Sequence, residues 1–209
     1  MIAQMKGYIG KYMENNNKRQ VGLVIMASGL GKRFGGNKLM ANLGDKPVIK
    51  WIIDTTDGLF DKRIVVTRSC DVKALCETLN IECIYHEMPN RNDTVRIGLD
   101  AIKSDIDICF FAPGDQPLIT GRSITKLINE AVNNEGKIVR SYYDKTVGAP
   151  IGFPKRVFDE LMSLPEGKGG GVIAQKYSDD VITVPVEHEY EIMDIDTVED
   201  LENMNMRIV

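Results

Sequence analysis

Short apolar runs alternate with amphipathic stretches along the chain from Val21 onward. The runs rich in β-branched residues have the length of buried strands, and they cover residues 21–26, 63–67, 81–85, 107–112 and 137–143. The segments between them repeat apolar residues at helical spacing, over residues 46–56, 71–79, 93–102 and 124–132. This alternation predicts parallel βαβ units with right-handed crossovers and helices on both faces of one sheet. We expect Asp93 to cap the helix that it opens.

The pattern changes in the last third of the chain. An extended piece over residues 148–154 is followed by a helix over 157–164, a strand over 179–186, an extended segment over 191–196 and a helix over 197–204. We therefore predict a three-layer α/β/α fold of the Rossmann-like class, in which a mostly parallel sheet has antiparallel pairing late in the chain. This single domain spans residues 21–209. Residues 1–20 are an N-terminal extension whose Ile2, Met5, Ile9 and Tyr12 fall at helical spacing.

Composition narrows the class of protein. Apolar residues make up 43% and charged residues 27% of the 209 residues, which is typical of a globular domain. The net charge of −4 argues against a broad basic face for nucleic acid, and no apolar run is long enough for a bilayer. The cysteines and histidines show no metal-ligand spacing, so we expect reduced cysteines in a cytoplasmic protein and structural roles for both histidines; they are Cys70, Cys76, Cys83, Cys109, His86 and His188.

A glycine-rich, basic loop, ASGLGKRFGGNK, follows the first predicted strand. Glycines let backbone N–H groups converge on an anion, and Lys32, Arg33 and Lys38 add the positive charge that the chain as a whole lacks. In an open α/β sheet such a loop lies at the carboxyl ends of the strands, where ligands bind. We interpret it as a phosphate-binding loop; the alternative is a solvated turn.

Two common phosphate loops do not fit this segment. A P-loop requires Gly-Lys-Ser/Thr, but Asn37 separates Gly36 from Lys38, and Leu39 stands at the hydroxyl position. The dinucleotide fingerprint GxGxxG fails because Phe34 stands where the third glycine belongs. A NAD-binding enzyme is therefore disfavoured.

The loop resembles the LAAGxSxRMGxxK signature of nucleotidyltransferases and is most similar to that of the molybdenum cofactor cytidylyltransferase family. Three later segments match the same family in order. FFAPGDQPLIT (110–120) resembles its GDQPLV box, VGAPIGFPKRVFDEL (147–161) its RGNPVLFPRxxFxEL, and MDIDTVEDLENM (193–204) its LDIDTPEDL. The resemblance covers residues 21–204, and four ordered motifs are far more specific than one loop.

The chain departs from the family pattern at several positions. A serine segment of the family appears here as NRNDTVRIGL, and the single-residue changes are Ser28, Gly31, Phe34, Ala149 and Val198.

The resemblance implies a Mg²⁺-dependent transfer of CMP from CTP to the terminal phosphate of molybdenum-molybdopterin, with release of pyrophosphate. It implies catalytic roles for Lys38, Arg33 and Asp115, with Mg²⁺ held by Asp115 and Asp196. Asp194 lies one strand step from Asp196 on the same face. The implied nucleotide-binding set is Ala27, Ser28, Gly29, Gly31, Lys32, Arg33, Lys38, Asn92, Thr94 and Asp115.

Three further residues are expected near the second substrate. The resemblance places Gly148 and Pro150 in the wall that faces the pterin. Lys168 lies in a second glycine-rich segment, EGKGGG, for which closure over the pterin phosphate and a surface turn are equal alternatives. Asp115 could instead be a turn residue, and Asp196 could cap the last helix.

Several functions remain open at this point. The same enzyme class includes a guanylyltransferase on the same cofactor and transferases that act on a sugar or alditol phosphate. A non-enzymatic carrier of a nucleotide or pterin is the alternative from another class. A molybdenum hydroxylase apoenzyme is the expected recipient of the product, with no nucleic-acid or membrane partner.

Overall fold

A computed structural model describes residues 19–29 and 31–208. Its strands are β1 (Val21–Ala27), β2 (Asn42–Leu43), β3 (Lys46–Pro47), β4 (Lys62–Thr67), β5 (Cys83–Tyr85), β6 (Ile108–Pro113), β7 (Ile138–Tyr143), β8 (Thr146–Pro154) and β9 (Val181–Pro185). Its α-helices are α1 (Val48–Thr55), α2 (Cys70–Thr78), α3 (Arg91–Ile102), α4 (Gly121–Asn133), α5 (Phe158–Met162), α6 (Gly171–Lys176) and α7 (Val198–Asn205). The helix expected over residues 2–12 lies outside the described residues.

Seven of these strands form one sheet in the order β5-β4-β1-β6-β8-β7-β9. The pairs β5–β4, β4–β1, β1–β6 and β7–β9 are parallel. Strand β8 runs antiparallel to both of its neighbours, β6 and β7. The predicted mostly parallel sheet with late antiparallel pairing is therefore confirmed. β2 and β3 form a separate small hairpin.

Helices cover both faces of the sheet because side chains alternate sides along each strand. Leu23 and Ile25 of β1 belong to one buried cluster, with side chains of α1, α2, α4 and α7. Val24 belongs to the other, with side chains of α3, α5 and α6. The close approach of α3 requires Gly98, since a Cβ there would lie 2.4 Å from Cγ1 of Val24. This packing sets the start of α3 beside the carboxyl end of β1.

Two local predictions are wrong in detail. Helix α3 begins at Arg91, so Asn90 is its N-cap and Asp93 lies within the first turn. The Asp93 carboxylate accepts a hydrogen bond from the Asn90 N–H at 3.1 Å, as in a capping box. The segment expected to be extended over residues 191–196 begins instead with a 3₁₀ turn, Glu189–Ile192.

Cys70, Cys76, Cys83 and Cys109 are free thiols. Among the described residues, no helix combines the length and the apolar character that crossing a membrane requires.

Candidate active site

A cleft of about 470 Å³ opens where β1, β4 and β6 end. This is the edge at which an open α/β sheet binds its ligands. The residues that line it come from the ends of β1 and β6, the glycine-rich loop, the loops after β4, β5 and β6, the start of α3 and the segment before α7; they are Met26, Ser28, Gly29, Lys32, Arg33, Arg68, Pro89, Asn90, Arg91, Thr94, Pro113, Asp115, Asp194 and Asp196.

The glycine-rich loop is held in a tight turn. Gly31 has a φ of +57°, and a Cβ there would lie 2.3 Å from the carbonyl oxygen of Gly36. The backbone N–H groups of Phe34 and Gly35 both donate to the Gly31 carbonyl at 3.0 Å. Gly31 therefore permits a fold-back that a side chain would obstruct. The turn delivers Lys38 to the base of the cleft, at the start of a short 3₁₀ turn, Lys38–Met40.

The central feature of the site is the buried Lys38 ammonium group, which bridges two carboxylates. Its Nζ lies 2.6 Å from Oδ2 of Asp115 and 2.9 Å from Oδ1 of Asp196. Burial lowers the pKa of Lys38, but the hydrogen bonds and charges of Asp115 and Asp196 outweigh it and raise the pKa overall. Lys38 is therefore a fixed positive charge at neutral pH.

Arg33 connects the loop to the same cluster. Its Nη2 lies 2.6 Å from Oδ2 of Asp196, while the rest of the arginine side chain is largely exposed. The hydrogen bond from Lys38 lowers the pKa of Asp196, burial opposes this effect, and Arg33 adds to the lowering. Asp196 is therefore ionised at neutral pH, and it holds the exposed Arg33 guanidinium at the edge of the cleft, where that group can also bind an anion.

Asp194 adds a third carboxyl group. Gln116 Nε2 donates a hydrogen bond to its Oδ1 at 2.8 Å. Burial and then the negative charge of Asp115 raise the pKa of this carboxyl. A backbone hydrogen bond of 2.9 Å from Ile195 N–H to the Asp115 carbonyl oxygen holds the two acidic segments together. Three acidic side chains, those of Asp115, Asp194 and Asp196, therefore lie close together near Lys38.

The chemistry of these donors fits a hard divalent cation. In residues 19–29 and 31–208, no three acidic, histidine or cysteine side chains converge as a ready-made metal site. Mg²⁺ is usually held by one or two carboxylates together with substrate phosphates, so Asp115 and Asp196 match its ordinary protein ligands. Such an ion would supply neutralising charge to phosphate oxygens.

The carboxylate of Asp196 is not used to cap α7. Thr197 is the N-cap, and its Oγ1 accepts a hydrogen bond from Asp200 N–H at 3.1 Å. The Asp200 carboxylate in turn accepts from the N–H groups of Asp196 and Thr197 at 3.0 and 2.8 Å. The capping box thus leaves the Asp196 side chain directed to Lys38 and Arg33.

The wall of the cleft that carries Ser28 and Thr94 is built around His86. The Ser28 hydroxyl donates to the carbonyl oxygen of Val66 at 3.2 Å and lies 2.9 Å from His86 Nε2. Thr94 Oγ1 lies 3.5 Å from the same nitrogen. His86, for which the sequence predicts a structural role, contacts both hydroxyls, and this pairing of distant segments has no local signal in the sequence.

Arg68 and Arg91 also line the cleft and were missed. Arg68 directly follows β4, and Arg91 opens α3. Their positions just beyond the carboxyl ends of β4 and β5 were the signal that the sequence offered. With Lys32 and Arg33, they give the cleft four basic side chains.

The remaining predicted residues do not line the cleft. Oδ1 of Asn92 accepts a hydrogen bond from Gly167 N–H at 2.9 Å, so this side chain ties α3 to the EGKGGG segment. Gly148 packs against Ile192, and Pro150 is buried in β8. Lys168 is exposed in the loop before α6. Ala27 is buried at the end of β1, and its carbonyl accepts from Thr67 Oγ1 at 2.9 Å.

The geometry as a whole combines a basic loop, a bridging lysine and a crowded set of carboxylates at the edge of a Rossmann-like sheet. This combination is suited to a polyanion that arrives with a divalent cation, as a nucleoside triphosphate does. The fold and the site together define the class of a nucleotide-handling α/β domain.

The chain belongs to the family of MobA-like NTP transferase domains, which matches residues 23–181. This confirms the resemblance at the level of the superfamily, and with it the prediction of a nucleotidyltransferase domain. The match begins within β1, includes the glycine-rich loop, β6 and Asp115, and ends before Asp194 and Asp196.

Curated relatives carry several activities in their names. The chain is 31% identical over 117 residues to the 2-C-methyl-D-erythritol 4-phosphate cytidylyltransferase of Endomicrobium trichonymphae, covering 54% of this chain and 53% of that one. It is 27% identical to the bifunctional protein GlmU of Thermoanaerobacter pseudethanolicus, over 66% of this chain and 30% of that one. It is 26% identical to a probable molybdenum cofactor guanylyltransferase of Natranaerobius thermophilus, over 57% and 58% of the two chains. The chain thus matches between 30% and 58% of the length of these relatives.

Solved structures agree on the fold. Rv0371c from Mycobacterium tuberculosis superimposes with a TM-score of 0.80 at 23% identity, covering 90% of this chain and 99% of that one. A manganese complex of the same mycobacterial protein superimposes with a TM-score of 0.72 at 22% identity, covering 90% and 98%. The predicted Rossmann-like nucleotidyltransferase fold is confirmed.

Proposed function

We propose that this protein is a Mg²⁺-dependent nucleotidyltransferase that transfers CMP from CTP to the terminal phosphate of molybdenum-molybdopterin and releases pyrophosphate. The observation that carries the proposal is the Lys38–Asp115–Asp196 cluster, with Arg33 beside it, in a domain of the MobA-like NTP transferase family. The four ordered sequence motifs favour the cytidylyl branch.

The reaction joins two anions, so charge and geometry are the main demands on the protein. An oxygen of the acceptor phosphate attacks the α-phosphorus of the nucleotide, and the bond from that phosphorus to the bridging oxygen of pyrophosphate breaks. Lys38 offsets the charge that gathers on the α-phosphate, and Arg33 binds the oxygens of the departing pyrophosphate. Asp115 and Asp196 would hold Mg²⁺, which would supply charge neutralisation to the phosphate oxygens.

The site needs no general base for this step. The attacking phosphate is already ionised at neutral pH, so catalysis rests on positioning and on stabilisation of charge. In the arrangement described here, Lys38 is engaged by Asp115 and Asp196. Phosphate oxygens of a bound nucleotide would replace Asp115 and Asp196 as partners of Lys38, and the two carboxylates would then be available to hold the cation.

A guanylyltransferase on the same cofactor is the second candidate, because the chain is similar to a probable molybdenum cofactor guanylyltransferase. The likeness to 2-C-methyl-D-erythritol 4-phosphate cytidylyltransferase supports an alditol phosphate as another acceptor. A non-enzymatic carrier is disfavoured, since a carrier has no need of Lys38 between two carboxylates. We place the reaction in the cytoplasm and infer a molybdenum hydroxylase apoenzyme as the recipient of the product.

Turnover with defined acceptors tests the proposal. Pyrophosphate release is measured with CTP or GTP and Mg²⁺, in the presence of molybdenum-loaded molybdopterin or 2-C-methyl-D-erythritol 4-phosphate, and the product is identified by mass. We expect release with CTP and the pterin, and release at least about a hundredfold slower from the Asp115→Asn variant. Release with GTP alone would assign the guanylyl branch. Failure of every combination to yield pyrophosphate would contradict a transferase.

A further inference from the structure

His86 joins the glycine-rich loop to helix α3 from behind the wall of the cleft. It follows β5, and its backbone N–H donates to the Thr67 carbonyl at 3.0 Å, so its position is fixed by the sheet. The side chain is 8% exposed. Its Nε2 contacts hydroxyls that belong to two different elements, Ser28 on the loop and Thr94 on α3.

The hydrogen bonds around Ser28 determine where the proton of His86 lies. The carbonyl oxygen of Val66 can only accept, so the Ser28 hydroxyl donates to it. Ser28 Oγ therefore accepts from Nε2–H at 2.9 Å. Nδ1 then carries a lone pair, and no described residue gives this buried nitrogen a hydrogen bond. The opposite tautomer would leave a buried N–H without an acceptor, which is the costlier arrangement.

The charges around His86 favour the neutral ring. Burial lowers the pKa of His86, the positive charge of Arg68 lowers it further, and Asp93 opposes both. Arg68 follows β4 and Asp93 belongs to α3, so both elements that flank the ring contribute a charge. A second proton would be placed on Nδ1, which is buried and has no acceptor.

The positions of the Ser28 and Thr94 hydroxyls indicate which part of a nucleotide they face. Ser28 and Thr94 line the cleft, whereas Lys38, Asp115 and Asp196 form the cluster that suits phosphates and a cation. A nucleotide whose phosphates meet that cluster and Arg33 has its nucleoside directed to the remaining wall. Asn90 and Pro89 lie on that same wall.

We propose that His86 is a positioning residue for the nucleoside, which it serves by holding the Ser28 and Thr94 hydroxyls in one fixed arrangement. The inference rests on the proposed function, because it assumes that a nucleotide occupies the cleft. His86 itself lies behind the lining residues and does not contact the nucleotide. Its loss lets the loop after β1 and the start of α3 move independently, which weakens binding of the nucleotide and leaves the chemistry at Lys38 unaltered.

A set of three substitutions tests this role. Gln at position 86 places an amide N–H where Nε2 stands, Asn places one near Nδ1, and Leu offers none. Binding of CTP and of GTP, each with Mg²⁺, is measured by calorimetry, and KM and kcat by pyrophosphate release. We expect His86→Asn and His86→Leu to raise the nucleotide Kd and KM at least about tenfold with kcat within about threefold, and His86→Gln to stay within about threefold of the wild type throughout.

Control measurements separate this role from a merely structural one. Melting temperatures show whether each variant folds, and the comparison of Gln with Asn stands even where the Leu variant does not fold. Equal nucleotide affinity in the Gln and Asn variants would overturn the proposal while leaving the proposed function standing. A wild-type protein that binds neither CTP nor GTP would overturn both.

Discussion

Replacement of Lys38 by methionine removes the charge at the centre of the site and keeps the length of the side chain. The Lys38 side chain is only 7% exposed, and its Nζ lies 2.6 and 2.9 Å from the carboxylates of Asp115 and Asp196. Methionine fills the same space, so packing should change little. The variant therefore isolates the electrostatic contribution of the ammonium group.

Two factors determine how much stability Lys38→Met loses. Removal of one partner from a fully buried ion pair costs about 3–5 kcal/mol, because the other charge is left uncompensated. The side chains of Asp115 and Asp196 are 21% and 30% exposed, so water screens them in part. We therefore expect Lys38→Met to lower the free energy of unfolding by about 1–3 kcal/mol at neutral pH.

The stability that Lys38 contributes depends on pH. The hydrogen bond from Lys38 lowers the pKa of Asp196 below its usual value of 3.8, so the stabilisation is present above that value. It is lost as the pH falls through the lowered pKa, since the carboxyl is then protonated in both the folded and the unfolded chain. The stability difference between the wild type and Lys38→Met should therefore shrink in acid.

The assay combines denaturation with turnover. Urea unfolding is followed at about pH 7 and about pH 3.5, and pyrophosphate release is measured with CTP, Mg²⁺ and acceptor. We expect turnover of Lys38→Met to fall at least about a hundredfold while the protein remains folded. Lys103→Met, which removes a surface lysine paired with Asp100 at the end of α3, is the matched control and should change neither quantity. Ordinary turnover in Lys38→Met would refute the role assigned to Lys38.

Three further outcomes are expected. Asp115→Asn should reduce turnover at least about a hundredfold in a protein that remains folded, and wild-type turnover would remove Asp115 from the mechanism. Glu191 is fully buried and accepts hydrogen bonds from Thr120 and from the Glu187 backbone, so Glu191→Gln should cost about 1–3 kcal/mol in urea unfolding, a loss that an unchanged midpoint would contradict. Gly31→Ala should weaken nucleotide binding at least about tenfold in calorimetry, because the loop cannot keep its fold-back; unaltered affinity would contradict the geometry.

Much of the fold could be read from the sequence because the signals are local. The apolar run at residues 21–26 is too short for a helix and too apolar for a loop, and it forms β1. The order of the strands in the sheet could not be predicted in this way, because it depends on contacts between distant segments. The placement of β8 between β6 and β7 could be anticipated only as late antiparallel pairing.

The acidic residues of the site could also be predicted from the sequence. Asp115 and Asp196 follow recognisable motifs, and the structure brings both to Lys38. The wall of the cleft around His86 could not be predicted, because it depends on contacts such as Ser28–His86 between segments that are far apart in the chain. An isolated histidine has no local signature that distinguishes a buried bridge from an ordinary core residue. The start of α3 was misplaced for a related reason, since both Asn90 and Asp93 belong to the capping box and either residue type caps helices.

Thermal stabilisation by nucleotides shows whether the cleft binds a nucleoside triphosphate. The melting temperature is measured with CTP, GTP, ATP and UTP, each with and without Mg²⁺. A ligand present at a hundred times its dissociation constant adds about 2.7 kcal/mol to the stability of the folded state. We expect selective stabilisation by CTP that depends on Mg²⁺. The absence of a response to all four nucleotides would contradict the assignment of the cleft to a nucleoside triphosphate.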